Sequence, residues 1–196
     1  MSIHQFIKRI LLSCFLLAGA SQAFAAVEVG GVRFDDTATV GGQELKLNGA
    51  GVRTKVIFKV YAAALYLTER KTAAADALAL TGPRRLKLVM LRDVESDDFA
   101  KAFMEGLDAN NDQAEKSKVS GQIAKIREFF TSIPKLRKGD TVVIDYLPGS
   151  GLQIFVNDKR LGEPLPDFAF ANAFLRIWLG EKPADNSLKQ RLLGGA

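Results

Sequence analysis

The sequence predicts an α+β fold, with one large, mainly antiparallel sheet and a layer of helices packed on it. Three observations lead there. Short stretches with an apolar-polar period of two occupy the first third of the chain, helical spacings of three and four run through its middle, and a hairpin near residue 148 precedes two more helical segments. Grouped strands, then helices, then a hairpin do not alternate as the βαβ units of a parallel sheet would.

The first residues stand apart from that domain. Lys8 and Arg9 lie in a stretch without acids, residues 10–19 are an apolar run, and Ala23-Phe24-Ala25 is a small-x-small triplet, together the pattern of a secretory signal peptide. Cleavage near Ala25 would leave residues 26–196 as one domain, periplasmic or secreted. The apolar run is roughly half of the ~20 residues a membrane-spanning helix needs, and no later stretch reaches that length. The only histidine, His4, and the only cysteine, Cys14, fall inside the leader. The domain is thereby expected to lack a histidine base, a cysteine nucleophile, a disulfide and any zinc site built from those residues. Formal charge falls from +5 to +3 without Lys8 and Arg9, and the basic residues nowhere interleave with aromatics as on a nucleic-acid surface. Neither nucleic acid nor a cofactor is expected.

Along the domain, Val27-Glu28-Val29 and Val32-Arg33-Phe34 alternate around Gly30-Gly31, and Glu44-Leu45-Lys46-Leu47 alternates after Gly41-Gly42. Residues 48–67 then open with a glycine turn, Asn48-Gly49-Ala50-Gly51, and continue as one long strand, apolar on both faces from Val60 onward and therefore central in the sheet. Residues 73–80 are an alanine-rich helix stopped by Gly82-Pro83, and residues 86–90 a strand. Ser96 is the expected N-cap of a helix with Asp97 and Asp98 in its first turn and Phe99, Phe103, Met104 and Leu107 on one face. Asn110-Asn111-Asp112 ends it. Val119, Ile123, Ile126, Phe130 and Ile133 mark a second helix, closed by Pro134. Residues 140–147 and 152–156 form the hairpin around Pro148-Gly149-Ser150-Gly151, residues 167–179 a helix bearing Phe170, Phe174, Ile177 and Trp178, and residues 187–193 a last helix.

Arg53 is the first candidate for chemistry, because a cation at the start of an apolar strand needs something to answer its charge. Tyr61 lies eight residues on, an even number, so both project from one face of an unbroken strand. A guanidinium fork and a phenol suit the same carboxylate or phenolate. The plainer reading pairs Arg53 with one of the chain's own acids. Asp97 and Asp98 are explained by the helix dipole, and Gly149-Ser150-Gly151 lacks the context of a serine nucleophile.

Asn48-Gly49-Ala50-Gly51-Val52-Arg53, Phe58-Lys59-Val60-Tyr61, Leu65-Tyr66-Leu67, Tyr146-Leu147-Pro148-Gly149, Ile177-Trp178-Leu179-Gly180-Glu181 and Leu192-Leu193-Gly194 resemble, in order and spacing, the bacterial chalcone isomerase-like proteins. That resemblance spans residues 27–194. It implies an open-faced sandwich, a large antiparallel sheet covered by helices with a cavity between them. In the family's enzymes an arginine stabilises the phenolate that closes a chalcone to a flavanone; in its fatty-acid binders the same arginine and a tyrosine hold a carboxylate. Arg53 matches that arginine, and Tyr61 falls where the enzymes carry threonine and the binders tyrosine. The enzyme's polar site residues fall on Phe99, Gly106 and Ile177, which cannot position a flavonoid.

The expectation is an exported, non-enzymatic protein binding a small amphipathic or aromatic acid, fatty-acid-like. Arg53 and Tyr61 hold the anion, with Phe99, Phe103, Phe174 and Trp178 around the tail. Two rivals remain: an isomerase or lyase on a phenolic substrate, with Arg53 stabilising an oxyanion, and a periplasmic interaction module with no open cavity.

Overall fold

The computed structural model describes residues 26–133 and 135–195. The leader expected at 1–25 and the helix stop expected at Pro134 lie outside the described residues. Strands β1 (Ala26–Val29), β2 (Val32–Asp35), β3 (Thr37–Val40), β4 (Gln43–Lys55) and β5 (Phe58–Leu67) come first, followed by α1 (Ala74–Ala79) and β6 (Arg84–Met90). Next come β7 (Val94–Glu95), α2 (Ser96–Asn110), α3 (Gln113–Lys118), α4 (Ser120–Thr131) and β8 (Lys135–Leu136). Strands β9 (Thr141–Leu147), β10 (Gly151–Val156) and β11 (Lys159–Leu165) lead to α5 (Phe168–Leu179) and α6 (Asn186–Leu192).

Seven strands form one antiparallel sheet in the order β11-β10-β9-β6-β5-β4-β3. This is the α+β, helix-covered sheet the sequence predicts. One face, carrying Tyr61, Ala63, Leu65, Leu88 and Ile144, packs with Phe103, Phe130, Phe174 and Trp178 of the helices. The reverse face carries Ala62, Ala64 and Tyr66, which pack under Phe34 of the separate β1–β2 hairpin. Strand β5 is buried on both faces from Val60 onward, as its lack of alternation predicts. On the reverse face, burial and the nearby Asp35 carboxylate push the Tyr66 phenol up to about 12.

Two expectations about residues 48–67 are corrected. Asn48-Gly49-Ala50-Gly51 is no turn; β4 runs through it with a bulge between Leu47 and Gly49. Its glycines serve close approach instead. A Cβ on Gly49 would collide with the Arg191 carbonyl, and one on Gly51 would stand 2.7 Å from the Arg191 Cβ, so α6 lies directly on this strand. Asn48 fixes the bulge: its Nδ2 donates to the carbonyls of Lys71 (2.9 Å) and Leu192 (2.7 Å), and its Oδ1 accepts from the Lys71 N–H at 2.6 Å. Nor is the remainder one strand. The chain reverses at Val56-Ile57, so Arg53 and Tyr61 are cross-strand partners and still share a face. An apolar Val-Ile-Phe run carries no Gly, Asn or Pro to mark a turn.

In the helix layer, Ser96 opens α2 without capping it. Its hydroxyl donates instead to the Ile133 carbonyl. Asn111 ends α2 and ties it to α5, its Nδ2 donating to Leu107 O (2.8 Å) and Ala173 O (3.1 Å). Asp112 then caps α3 through a reciprocal box with Glu115. Strand β11 and helix α3 carry too many charges to show an apolar period, and the sequence reading passes over both. Among the described residues no helix is long and apolar enough to cross a membrane.

Gly49→Ala is expected to cost more than about 2 kcal/mol in urea unfolding, because backbone atoms of α6 cannot give way as a side-chain tip would. The folded state keeps the Tyr66 proton at pH values where the unfolded chain loses it. Tyr66 therefore stabilises the fold below about pH 10, and that contribution disappears as pH rises through about 12. The stability difference between the parent and Tyr66→Phe, followed against pH, should shrink over that window.

Candidate functional site

Strands β4 and β5 carry Arg53 and Tyr61 to the end of the sheet nearest their hairpin turn, beneath α2 and α5. The Arg53 guanidinium carbon stands 5.5 Å from the centre of the Tyr61 ring, a cation-π approach between cross-strand neighbours. Arg53 is half-buried, and Tyr61 is 3% exposed. The Arg53 Nε donates to the Ala184 carbonyl at a long 3.4 Å. Among the described residues no carboxylate lies within salt-bridge distance of Arg53, whose charge is met only by the Ala184 carbonyl and by Tyr61. The internal acid partner of the plainer reading is therefore missing.

The Tyr61 hydroxyl accepts from Trp178 Nε1 at 2.9 Å, which joins the sheet to α5 inside the core. Burial pushes the phenol up from its ordinary value, while the Arg53 cation and the Trp178 donor pull less strongly the other way. It stays a neutral phenol at physiological pH, with its own proton left to donate. Behind Arg53, the Asp185 carboxylate accepts from the Thr54 N–H (2.9 Å) and caps α6 at the Leu188 N–H (3.0 Å), closing the rear of the site.

Two spaces meet at Arg53. The larger is an open cleft of about 660 Å³ between the β4–β5 turn and α2, with Phe58, Val60, Phe99 and Ala102 on its walls. Lys55, Arg92, Lys101 and Lys135 line it with Asp93, Glu95, Asp98 and Glu105, and Lys135 pairs with Glu95 at 2.8 Å. The smaller is a pocket of about 20 Å³ bounded by Arg53, Tyr61, Phe99, Phe103, Ile177 and Trp178. It has room for about one water-sized atom. Arg53, Phe99 and Ala102 border both spaces.

Of the six residues singled out from sequence, Arg53, Tyr61, Phe99, Phe103 and Trp178 converge on the small pocket. Phe174 does not reach it and packs behind, its ring 4.3 Å from Phe103 and 6.0 Å from Trp178. Only Arg53 and Phe99 also face the large cleft. The sequence reading missed Phe58, Val60 and Ala102 as its walls and Ala184 and Asp185 as the backing of Arg53. The first two follow from recognising the turn at Val56-Ile57; the last two are brought in from 131 positions away, with no local signal. Gly106 and Ile177 meet so closely that a Cβ at position 106 would stand 2.8 Å from Ile177 Cγ2, leaving no space for a polar side chain there. Among the described residues no group of three or more His, Cys, Asp or Glu is placed to hold a metal ion.

Fold and site together define an α+β protein in which a helix layer and an antiparallel sheet open, at one end, into a cleft with an unpaired arginine at its base. The chain belongs to the chalcone isomerase-like family, whose members it matches over residues 26–194. No curated protein sequence matches it. Among solved structures it is similar to a fatty-acid binding protein of Arabidopsis thaliana, with a TM-score of 0.67 and 16% identity, covering 86% of this chain and 96% of that one. At that identity the likeness bears on the fold.

Tyr61→Phe leaves the Trp178 N–H buried without an acceptor, and should cost about 1–3 kcal/mol of stability. Trp178 is the only tryptophan, so its fluorescence should shift with the substitution while Tyr66→Phe leaves it unchanged.

Proposed function

We propose that this protein is a non-enzymatic binder of a small amphipathic acid of fatty-acid type. The observation that carries the reading is the half-buried Arg53, without an acid partner among the described residues, at the junction of a cleft of about 660 Å³ and a one-atom pocket. One carboxylate oxygen enters the small pocket between Arg53 and the Tyr61 hydroxyl, whose remaining proton it accepts. The apolar chain lies along the cleft against Phe58, Val60, Phe99 and Ala102. The volume falls within the usual range for a small-molecule site, and Phe58, Val60, Phe99 and Ala102 supply an apolar wall in a cleft otherwise lined by charged side chains of both signs. Phe103, Phe174 and Trp178 act as the packed wall that keeps the anion pocket small and holds Tyr61 in place. The fatty-acid ligand of the structurally similar plant protein is consistent with this reading.

An isomerase of the chalcone type is disfavoured because the positions that the resemblance matches to the enzymes' polar site residues include Gly106 and Ile177, which pack closely against each other. A closed interaction module is disfavoured by the open cleft. We further infer that the leader directs export and is removed near Ala25; the intact mass of protein recovered from outside the cytoplasm would check the cleavage point.

Calorimetric titration with medium- and long-chain fatty acids should give saturable binding. Loss of the charge-assisted pair in Arg53→Ala should weaken it by about 10- to 150-fold, the equivalent of ~1.5–3 kcal/mol. Equal affinity in parent and variant, or no binding to either, overturns the reading.

A further inference from the structure

Among the described residues, three of the four exposed large hydrophobic side chains are consecutive: Val56 (89% exposed), Ile57 (78%) and Phe58 (54%), with Val27 the fourth. Single exposed apolar residues are ordinary; three in a row at a loop tip are not. They form the β4–β5 turn, a two-residue loop whose first residue alone has positive φ, the type II′ pattern that takes glycine there. Val56 has a φ of 59°, whereas the other non-glycine residues with positive φ among those described are Asn157, Asp158 and Asp167. Asn and Asp tolerate that region, and a β-branched residue is strained in it. The Val56 side chain costs both backbone strain and exposed apolar surface, and no packing within the chain offsets either.

The surroundings of the tip indicate what it meets. Lys55 and Lys59 flank it, and the Arg92 guanidinium lies 5.0 Å from the centre of the Phe58 ring. None of these three cations has an ion pair among the described residues; of the acids lining the adjoining cleft, Asp93 and Glu95 are engaged by Lys135, and Asp98 and Glu105 sit on α2. An apolar point inside a cationic collar matches an anionic lipid surface, with acyl chains taking the tip and headgroup phosphates the collar. Three side chains fall far short of the roughly 20–30 residues a side that a standard protein interface uses.

We propose that the β4–β5 tip inserts into anionic bilayer surfaces. Lys55, Val56, Phe58 and Arg92 also line the cleft, so insertion sets the cleft mouth against the lipid. This goes beyond the binding reading and stands without it.

The test uses Ile57→Trp in the full chain, mixed with vesicles of phosphatidylglycerol and phosphatidylcholine or of phosphatidylcholine alone. The native Trp178 is 3% exposed and far less sensitive to the tip's surroundings. The expected result is a blue shift of the new tryptophan, and its quenching by lipids brominated on the acyl chain, on the anionic vesicles only. Reversing both lysines (Lys55→Glu with Lys59→Glu) should weaken that response at least about tenfold, since each basic group near an anionic surface contributes roughly fivefold. Val56→Gly, which relieves the strained φ, should raise Tm and still weaken vesicle binding. Solvent-like emission at position 57 on both vesicles overturns the proposal, as does a blue shift before lipid is added, which would mean that a second copy covers the tip. Because fatty-acid titration is done without vesicles, failure here leaves the binding reading standing, and failure there leaves this one.

Discussion

From Val60 to Leu67, β5 carries no charged side chain and almost no exposed surface, so it can exist only where both of its faces are covered. The architecture answers that demand twice. Helices α2, α4 and α5 cover Tyr61, Ala63, Leu65 and Leu67, and the β1–β2 hairpin brings Phe34 over Ala62, Ala64 and Tyr66. The three alanines keep the strand thin where large rings close over it. At the end of β5, Tyr61 is the first residue that is both buried and polar, and its hydrogen bond to Trp178 fixes the helix layer at the height that leaves a pocket beside Arg53.

Buried polar groups elsewhere are placed so that close packing does not leave them unpaired. Asn48 and Asn111 each use two backbone acceptors to lock a helix against its neighbour. Arg84 is the costlier case. It is 4% exposed, has no acid partner among the described residues, and is held by Asn172 (2.6 Å) and by the rings of Tyr146 and Phe168, each 5.2 Å away. Burial draws its guanidinium down to about 10, and Nη1 stays without a hydrogen bond. Two arginines thus face the same interior with opposite endowments: Arg84 is enclosed by rings, whereas Arg53 opens on a cleft, and only the second has room for a ligand.

At the cleft mouth the usual rules of surface and turn chemistry are broken together, by a valine at positive φ and three apolar side chains in solvent. Local rules tend to fail where a sequence serves something other than its own stability. The interior arginine and the exposed tip lie on one hairpin, so the strand pair that carries Arg53 also forms an edge of the cleft.

Much of this was legible in the sequence, and the rest was not for identifiable reasons. The unbroken apolarity of residues 60–67 marked a central strand, the spacing of Phe99, Phe103 and Leu107 marked a helix, and Pro148-Gly149 marked a hairpin, because each pattern is local. Arg53 and Tyr61 were recognisable as a pair by their even separation, although the chain turns between them; cross-strand partners share a face just as alternate residues do. The turn at Val56-Ile57 carried no turn residue, and the glycines of β4 make room for a helix far along the chain, at Arg191, so neither had a local sign. By itself the sequence determined the layers, the family pattern and which residues have the chemistry that suits an anion, since these follow from periodicity and side-chain type. Only the tertiary structure decided that Phe103, Phe174 and Trp178 pack closely against one another, that the cleft opens on Phe58 and Phe99, and that no acid among the described residues pairs with Arg53. Cavities and unpaired charges are set by what long-range packing leaves unfilled, which no local pattern encodes.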